Sequence, residues 1–83
     1  MEDQQKIVAN RINELCKKHG ISYYVLSYRS AVPLTTLLHI VDGSTKNPGI
    51  ITIIKICEGL GISVKDFFDT KEFVYVQDED AEE

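Results

Sequence analysis

The residues able to do catalytic or metal chemistry are few in this 83-residue chain, and they are scattered. Cys16 and Cys57 are separated by 41 positions, and His19 and His39 do not complete the paired spacing of a zinc site with them. The sequence also lacks a glycine-rich phosphate loop and a closely spaced acidic pair on one structured element. We therefore expect the protein not to be an enzyme, and we expect no cofactor and no bound metal.

The two cysteines each lie in an apolar helical pattern, which indicates buried thiols of a reducing compartment. A redox switch or a disulfide is the alternative. The sequence begins with acidic and polar residues, unlike a signal peptide, and no apolar stretch reaches the roughly 20 residues that span a bilayer. These features predict a cytoplasmic protein.

The stretch from residue 22 to residue 62 is the most informative part of the chain, so the helices that form it matter most. Helix one is predicted from Gln4 to His19, with an apolar stripe at helical spacing and Gly20 as its cap. Ser22 is a good N-cap for a second helix ending near Arg29 or Ser30. Pro33 starts a third helix that closes at residues 42–43, and a break this short forces a steep crossing angle.

The stretch from Ile50 to Leu60 follows a polar loop at residues 44–49 and is open to two interpretations. Its β-branched residues suit a strand, whereas the spacing of its apolar residues is helical, and we favour a helix. Gly59 inside this helix indicates that another helix packs closely against it. Ser63 then begins a short fifth helix, and residues 73–76 suit either a strand or a continued helix.

The net charge of −4 argues at first against a nucleic-acid partner, but its distribution changes that conclusion. Residues 4–71 hold all nine Lys and Arg residues and five acidic ones, which gives +4, whereas residues 72–83 hold six acidic residues and no cation. The segment predicted to fold is therefore basic. The acidic segment either competes with DNA for this basic surface or serves as a solubilising terminus.

The order of helix, tight turn, helix, polar loop and helix between Ser22 and Ile62 resembles the lambda-repressor/Cro-like (XRE-type) helix-turn-helix family of transcriptional regulators. The resemblance covers roughly residues 7–68. It implies an all-α, compact five-helix fold in which residues 1–71 form the helix-turn-helix domain. Residues 72–83 would form an acidic, partly disordered C-terminal extension.

The resemblance also implies which residues contact DNA, because the helix after the turn lies in the major groove in this family. The implied base-contacting residues are Pro33, Leu34, Thr35 and His39, with Thr36 and Leu38 at the margins. The implied phosphate-contacting residues are Ser22, Tyr23, Tyr24, Thr36, Ser44, Thr45, Lys46 and Asn47. The third helix lacks the Arg, Gln or Asn that make bidentate base contacts, and Tyr23 stands where the family usually has Gln.

We therefore predict a sequence-specific transcriptional regulator of double-stranded DNA, acting as a repressor and as a homodimer on two half-sites. The apolar residues available for a twofold interface are Phe67, Phe68, Phe73, Val74, Tyr75 and Val76. The alternative is that this segment closes the domain's own core, which is the expectation for Phe67. The alternative is a protein-interaction module or antitoxin-type protein that keeps the fold and binds a partner protein. The apolar Leu34 and Leu38 and the missing base-reading side chains favour this alternative.

Overall fold

The computed structural model describes residues 4–74, and these residues form six helices. Their bounds are α1 Gln4–His19, α2 Tyr23–Ser30, α3 Leu34–Val41, α4 Ile50–Leu60, α5 Val64–Phe68 and α6 Lys71–Val74. No strand occurs within residues 4–74, so the all-α prediction is confirmed, and α6 adds a short helix to the five expected. None of the helices in this range is long and apolar enough to cross a membrane.

One hydrophobic core joins the first five helices. Helix α2 packs mainly against α4, and α3 packs against α1 and α2. The predicted stripe of α1 is confirmed, since Ile12, Leu15 and Cys16 are buried and Val8 packs at the edge of the core. The core therefore holds α3 by one side only, with two helices behind it.

The turn between α2 and α3 is held by a buried serine and a buried valine. The Ser30 hydroxyl donates to the Leu26 carbonyl oxygen at 2.7 Å and accepts from the Val32 backbone N–H at 3.3 Å. Ala31 between them has φ of 59°, a left-handed conformation that is unfavourable for a residue with a Cβ. Val32 then inserts into the core, and Pro33 is the N-cap of α3. This geometry makes the short break between the helices.

Helix α4 forms from the β-branched run because its apolar face is buried against α2. Ile53, Ile56 and Cys57 are buried, and this tertiary packing outweighs local strand propensity. The close approach predicted at Gly59 is confirmed: a Cβ added there would lie 2.8 Å from the Ser30 Cβ. The helical spacing of the sequence puts Ile50, Ile53, Ile54, Cys57 and Leu60 on one apolar face. This prediction was wrong at its start, since Ile50 is exposed, and it missed Ile56, which is fully buried.

Helix α5 is linked to α1 by the side chain of Arg11. Its Nε donates to the Phe67 carbonyl oxygen at 2.6 Å, and its Nη2 donates to the Asp66 carbonyl oxygen at 2.7 Å. Its Nη1 also forms an ion pair with Glu14 at 3.1 Å. Arg11 therefore donates to two carbonyl groups in the last turn of α5, where an α-helix leaves carbonyl groups without intrahelical partners.

Three phenylalanines close the core beside α5 and α6. Phe67 is fully buried, which contributes roughly 1.5–3 kcal/mol to stability, and the Phe68 ring packs edge-on to it at a centroid distance of 4.9 Å. Phe73 packs edge-on to Phe68 at 4.8 Å. Phe73 belongs to a helix rather than a strand. Phe67 is thus unavailable for the predicted twofold interface, and Tyr75 and Val76 lie outside the described residues, as does most of the acidic extension.

Candidate DNA-binding surface

The orientation of α3 follows from the two side chains that it gives to the core. Leu37 and Ile40 are buried, so the opposite side of the helix faces solvent. The exposed residues at and along this side are Pro33, Thr35, Thr36, Leu38 and His39, with Leu34 partly covered. All four implied base-contacting residues therefore reach solvent on one short helix.

The outward face of α3 carries a few side chains that are able to contact base edges. Thr35 and His39 lie four residues apart and share one side of the helix. The threonine hydroxyl can donate or accept and its methyl group can contact a thymine methyl, while the imidazole can donate or accept at a base edge. Leu34 and Leu38 offer only apolar contact. This face can read bases, although it lacks the bidentate side chains that give the largest discrimination.

The start of α2 presents backbone donors next to aromatic side chains. Ser22 caps the helix by accepting from the Val25 N–H at 3.1 Å, which leaves the N–H groups of Tyr23 and Tyr24 without an intrahelical carbonyl. Free N–H groups at a helix N-terminus favour an anion such as phosphate. Tyr24 is 68% exposed, so its hydroxyl can also reach a phosphate.

Tyr23 makes a hydrogen bond within the protein. Its hydroxyl donates to the Asn13 Oδ1 on α1 at 2.7 Å, and its ring packs at the edge of the core. Burial raises the pKa of the Tyr23 hydroxyl, and the neighbouring Cys16 thiol adds to that shift. The hydroxyl therefore remains protonated and bonded to Asn13. Asn13 was missed from the sequence, because no local pattern relates a residue of α1 to one ten positions later.

The loop after α3 is organised by Asp42 and by a backbone bond to α3. Hydrogen bonds from the Ser44 hydroxyl and backbone N–H, the latter at 2.8 Å, lower the pKa of the Asp42 carboxyl group. The Thr45 N–H donates to the His39 carbonyl oxygen at 3.0 Å. The structure thus brings the loop against the end of α3, and it leaves the side chains of Lys46 and Asn47 exposed.

Several other residues with possible chemistry do not form a second site. Cys16 and Cys57 are both buried free thiols, as predicted, and burial raises the pKa of each. Within residues 4–74, no three His, Cys, Asp or Glu side chains come together as a metal site requires. The most exposed aromatic side chain of this range, Tyr28 on α2, is 85% exposed and was not singled out from the sequence.

A comparison with known protein families finds a match over the region that contains this surface. Residues 11–72, which are 62 of the 83 residues, match the model of the Cro/C1-type HTH DNA-binding domain. No curated protein and no solved structure matches the chain significantly. The matched segment contains α2, the turn, α3 and the loop that follows it, which are the elements that carry the exposed polar surface described above. The chain therefore belongs to the family of Cro/C1-type HTH DNA-binding domains.

Proposed function

We propose that the protein is a sequence-specific transcriptional repressor that inserts α3 into the major groove of its operator. The base contacts come from Pro33, Leu34, Thr35 and His39. The phosphate contacts come from Ser22, Tyr23, Tyr24, Thr36, Ser44, Thr45, Lys46 and Asn47. The observation that carries this proposal is the outward face of α3, which lies opposite the buried Leu37 and Ile40 and the partly buried Val41 that pack against the core.

The charge of the surface makes a homodimer part of the proposal. Lys46 is the single cation in the loop after α3, and α3 itself carries only His39 as a basic residue. Each neutralised phosphate contributes about −0.9 to the slope of log K against log salt, so one subunit with few cations binds weakly. Two subunits on half-sites about 34 Å apart double these contacts. A repressor of this kind acts where the DNA is, so we also propose a cytoplasmic location.

Neighbouring threonines of α3 give a matched test of base reading. The assay is fluorescence anisotropy with a duplex taken from upstream of the protein's own coding region, compared with a random duplex. Thr35→Ala should weaken binding to the upstream duplex about two- to tenfold, the worth of one hydrogen bond, and leave random binding unchanged. Thr36→Ala should weaken both equally, because a phosphate contact carries no sequence information. Equal losses for both variants would contradict the assignment of Thr35.

Lys46 is tested by the salt dependence of binding. Lys46→Gln should weaken binding to every duplex and reduce the steepness of the salt slope by about 0.9 per subunit. The control is Lys55→Gln, which removes an exposed cation of α4 outside the proposed surface. An unchanged slope for Lys46→Gln would show that Lys46 does not contact phosphate, and an equal change for Lys55→Gln would show that the effect is not specific to the proposed surface.

A protein-interaction role is the second candidate, and the exposed side of α2 favours it. Tyr24 and Tyr28 lie four residues apart on one side of the helix and are 68% and 85% exposed. Aromatic residues are enriched where proteins bind each other. An antitoxin-type protein would use such a surface for its partner. Absence of any preference for the upstream duplex at low salt, combined with a partner whose binding Tyr28→Ser abolishes, would favour this role over a repressor.

A further inference from the structure

An open apolar groove lies between the N-terminal end of α1, the loop after α3, the start of α4 and α5. Val8, Ile50, Ile53 and Phe68 form its apolar lining, and Lys46 is the cation among the lining residues. Its volume of about 360 Å³ is at the lower end of the roughly 300–1,000 Å³ of binding clefts, which suits one or two side chains. Ile50 in this groove is 57% exposed.

Helix α6 contacts one wall of this groove through Phe73. Phe68 lines the groove, and the Phe73 ring packs against the Phe68 ring at a centroid distance of 4.8 Å. Residues that follow Val74 therefore start close to the groove. One extended residue spans about 3.3 Å, so residue 78 lies within about 13 Å of residue 74, and residues 79–83 reach further.

The composition of residues 75–83 complements the groove, which has an apolar lining and one cation, Lys46. Tyr75 and Val76 are apolar and come first, and the five acidic residues of positions 78–83 follow without any cation. The apolar pair suits the lining formed by Ile50 and Phe68, and the carboxylates suit Lys46. The apolar pair is the part of the segment nearest in sequence to α6, which contacts Phe68 through Phe73, and the acidic residues come later in the chain.

We propose that residues 75–83 bind back into this groove of their own chain, with the side chain of Tyr75 or Val76 between Ile50 and Phe68. The carboxylates then lie beside Lys46 and the loop after α3. The consequence for DNA rests on the function proposed above: the docked segment competes with DNA phosphate for Lys46. It thereby lowers the apparent affinity for any duplex by the fraction of molecules that are undocked, whatever the sequence of that duplex.

Docking is tested in the full chain without DNA. Nuclear Overhauser contacts are measured at low salt between the Tyr75 ring or Val76 methyls and the methyls of Val8 and Ile50. We expect these contacts in the intact protein and their loss in Ile50→Ser. The matched control is Ile51→Ser, because Ile51 is 62% exposed but does not line the groove, and this variant should keep the contacts.

Two results of this measurement would overturn docking. Absence of any contact between residues 75–76 and the groove would show that the segment does not bind there. Contacts seen only between differently labelled chains, by isotope-filtered spectra of a mixed sample, would assign the groove to a second copy of the protein instead. Neither result depends on DNA, so a failure of the proposed DNA function leaves this test intact.

Competition is tested by binding to a random duplex at low salt. If about two thirds of the molecules are docked, about one third are competent to bind, and release of the segment tightens the apparent Kd about threefold. Ile50→Ser should give this gain without changing the net charge, and Ile51→Ser should not. Equal affinities of Ile50→Ser and the intact protein, in the presence of the groove contacts, would refute the competition and leave the docking.

Discussion

Replacing Gly59 by alanine tests the packing of α2 against α4 most directly. The added Cβ would lie 2.8 Å from the Ser30 Cβ, 2.9 Å from the Ser30 nitrogen and 3.0 Å from the Ser30 Cα. Two of these three atoms are backbone, so a side-chain rotation cannot relieve the contact. Helix α2 must move away from α4, and Ser30 must move with it.

The size of the effect is the difference between two opposing contributions. Overpacking of a well-packed contact costs about 1–3 kcal/mol, while alanine is favoured over glycine inside a helix by about 1 kcal/mol. The net loss in the free energy of unfolding is therefore about 1 kcal/mol, within a range of about 0–2. For a domain of this size, a loss of 1 kcal/mol lowers Tm by about 4–8 °C.

The assay is urea and thermal unfolding followed by circular dichroism. Gly59→Ala should lower the unfolding midpoint, and Gly59→Val should lower it further because its larger side chain meets the same backbone. Glu58→Ala, at the neighbouring exposed position of α4, should change stability by less than about 0.5 kcal/mol. A Gly59→Ala protein that is more stable than the parent by about 1 kcal/mol would refute the reasoning, because helix propensity alone would then account for it.

Four further predictions concern the helix ends, the turn and the thiols. Ala31→Gly should raise the unfolding free energy by up to about 1 kcal/mol in urea titrations, since glycine relieves the positive φ, and any loss contradicts this. Arg11→Ala should lower the unfolding free energy by about 1.5–3 kcal/mol, because the carbonyls at the end of α5 lose a charged donor. Arg11→Lys should retain only part of the stability that Arg11 gives. Ser22→Ala should lower the unfolding free energy by about 0.5–2 kcal/mol, because α2 loses its N-cap hydrogen bond. Amide hydrogen exchange within α2 should become faster. Because burial raises the pKa of Cys16 and Cys57, stability should be constant below the ordinary thiol pKa of about 8.5 and fall as pH rises above it. A double alanine variant should flatten that part of the pH profile.

The helix ends were predictable because their signals are local. Ser22 and Ser63 each accept a backbone N–H as N-caps, and Gly20 and Gly61 take the left-handed conformation at the ends of α1 and α4. Each signal depends on a few neighbouring residues, so the sequence contains all the information that is needed. The outcome for Ile50–Leu60 was less direct, since apolar spacing had to be weighed against β propensity.

The contacts between distant residues were not predictable from the sequence. Arg11 bonds to residues more than 50 positions later, and Tyr23 bonds to Asn13 across two helices. The rotation of α4 was misjudged for the same reason, because the choice between Ile50 and Ile56 as buried residues depends on where α2 lies. The exposure of the α3 residues agrees with their implied role, while their contacts with bases stay a prediction.

Different residues of α3 pack in the core and face solvent, and this separation determines how substitutions in α3 affect the protein. Stability draws on Leu37 and Ile40, whereas Thr35, Thr36, Leu38 and His39 take no part in the buried core. Surface substitutions of this kind usually change stability by less than about 0.5 kcal/mol. A library randomised at these four positions should therefore contain mostly folded members, each presenting a different chemical surface on the same scaffold. Under the proposed function, base recognition can therefore change by substitution on this surface without a compensating change in the interior.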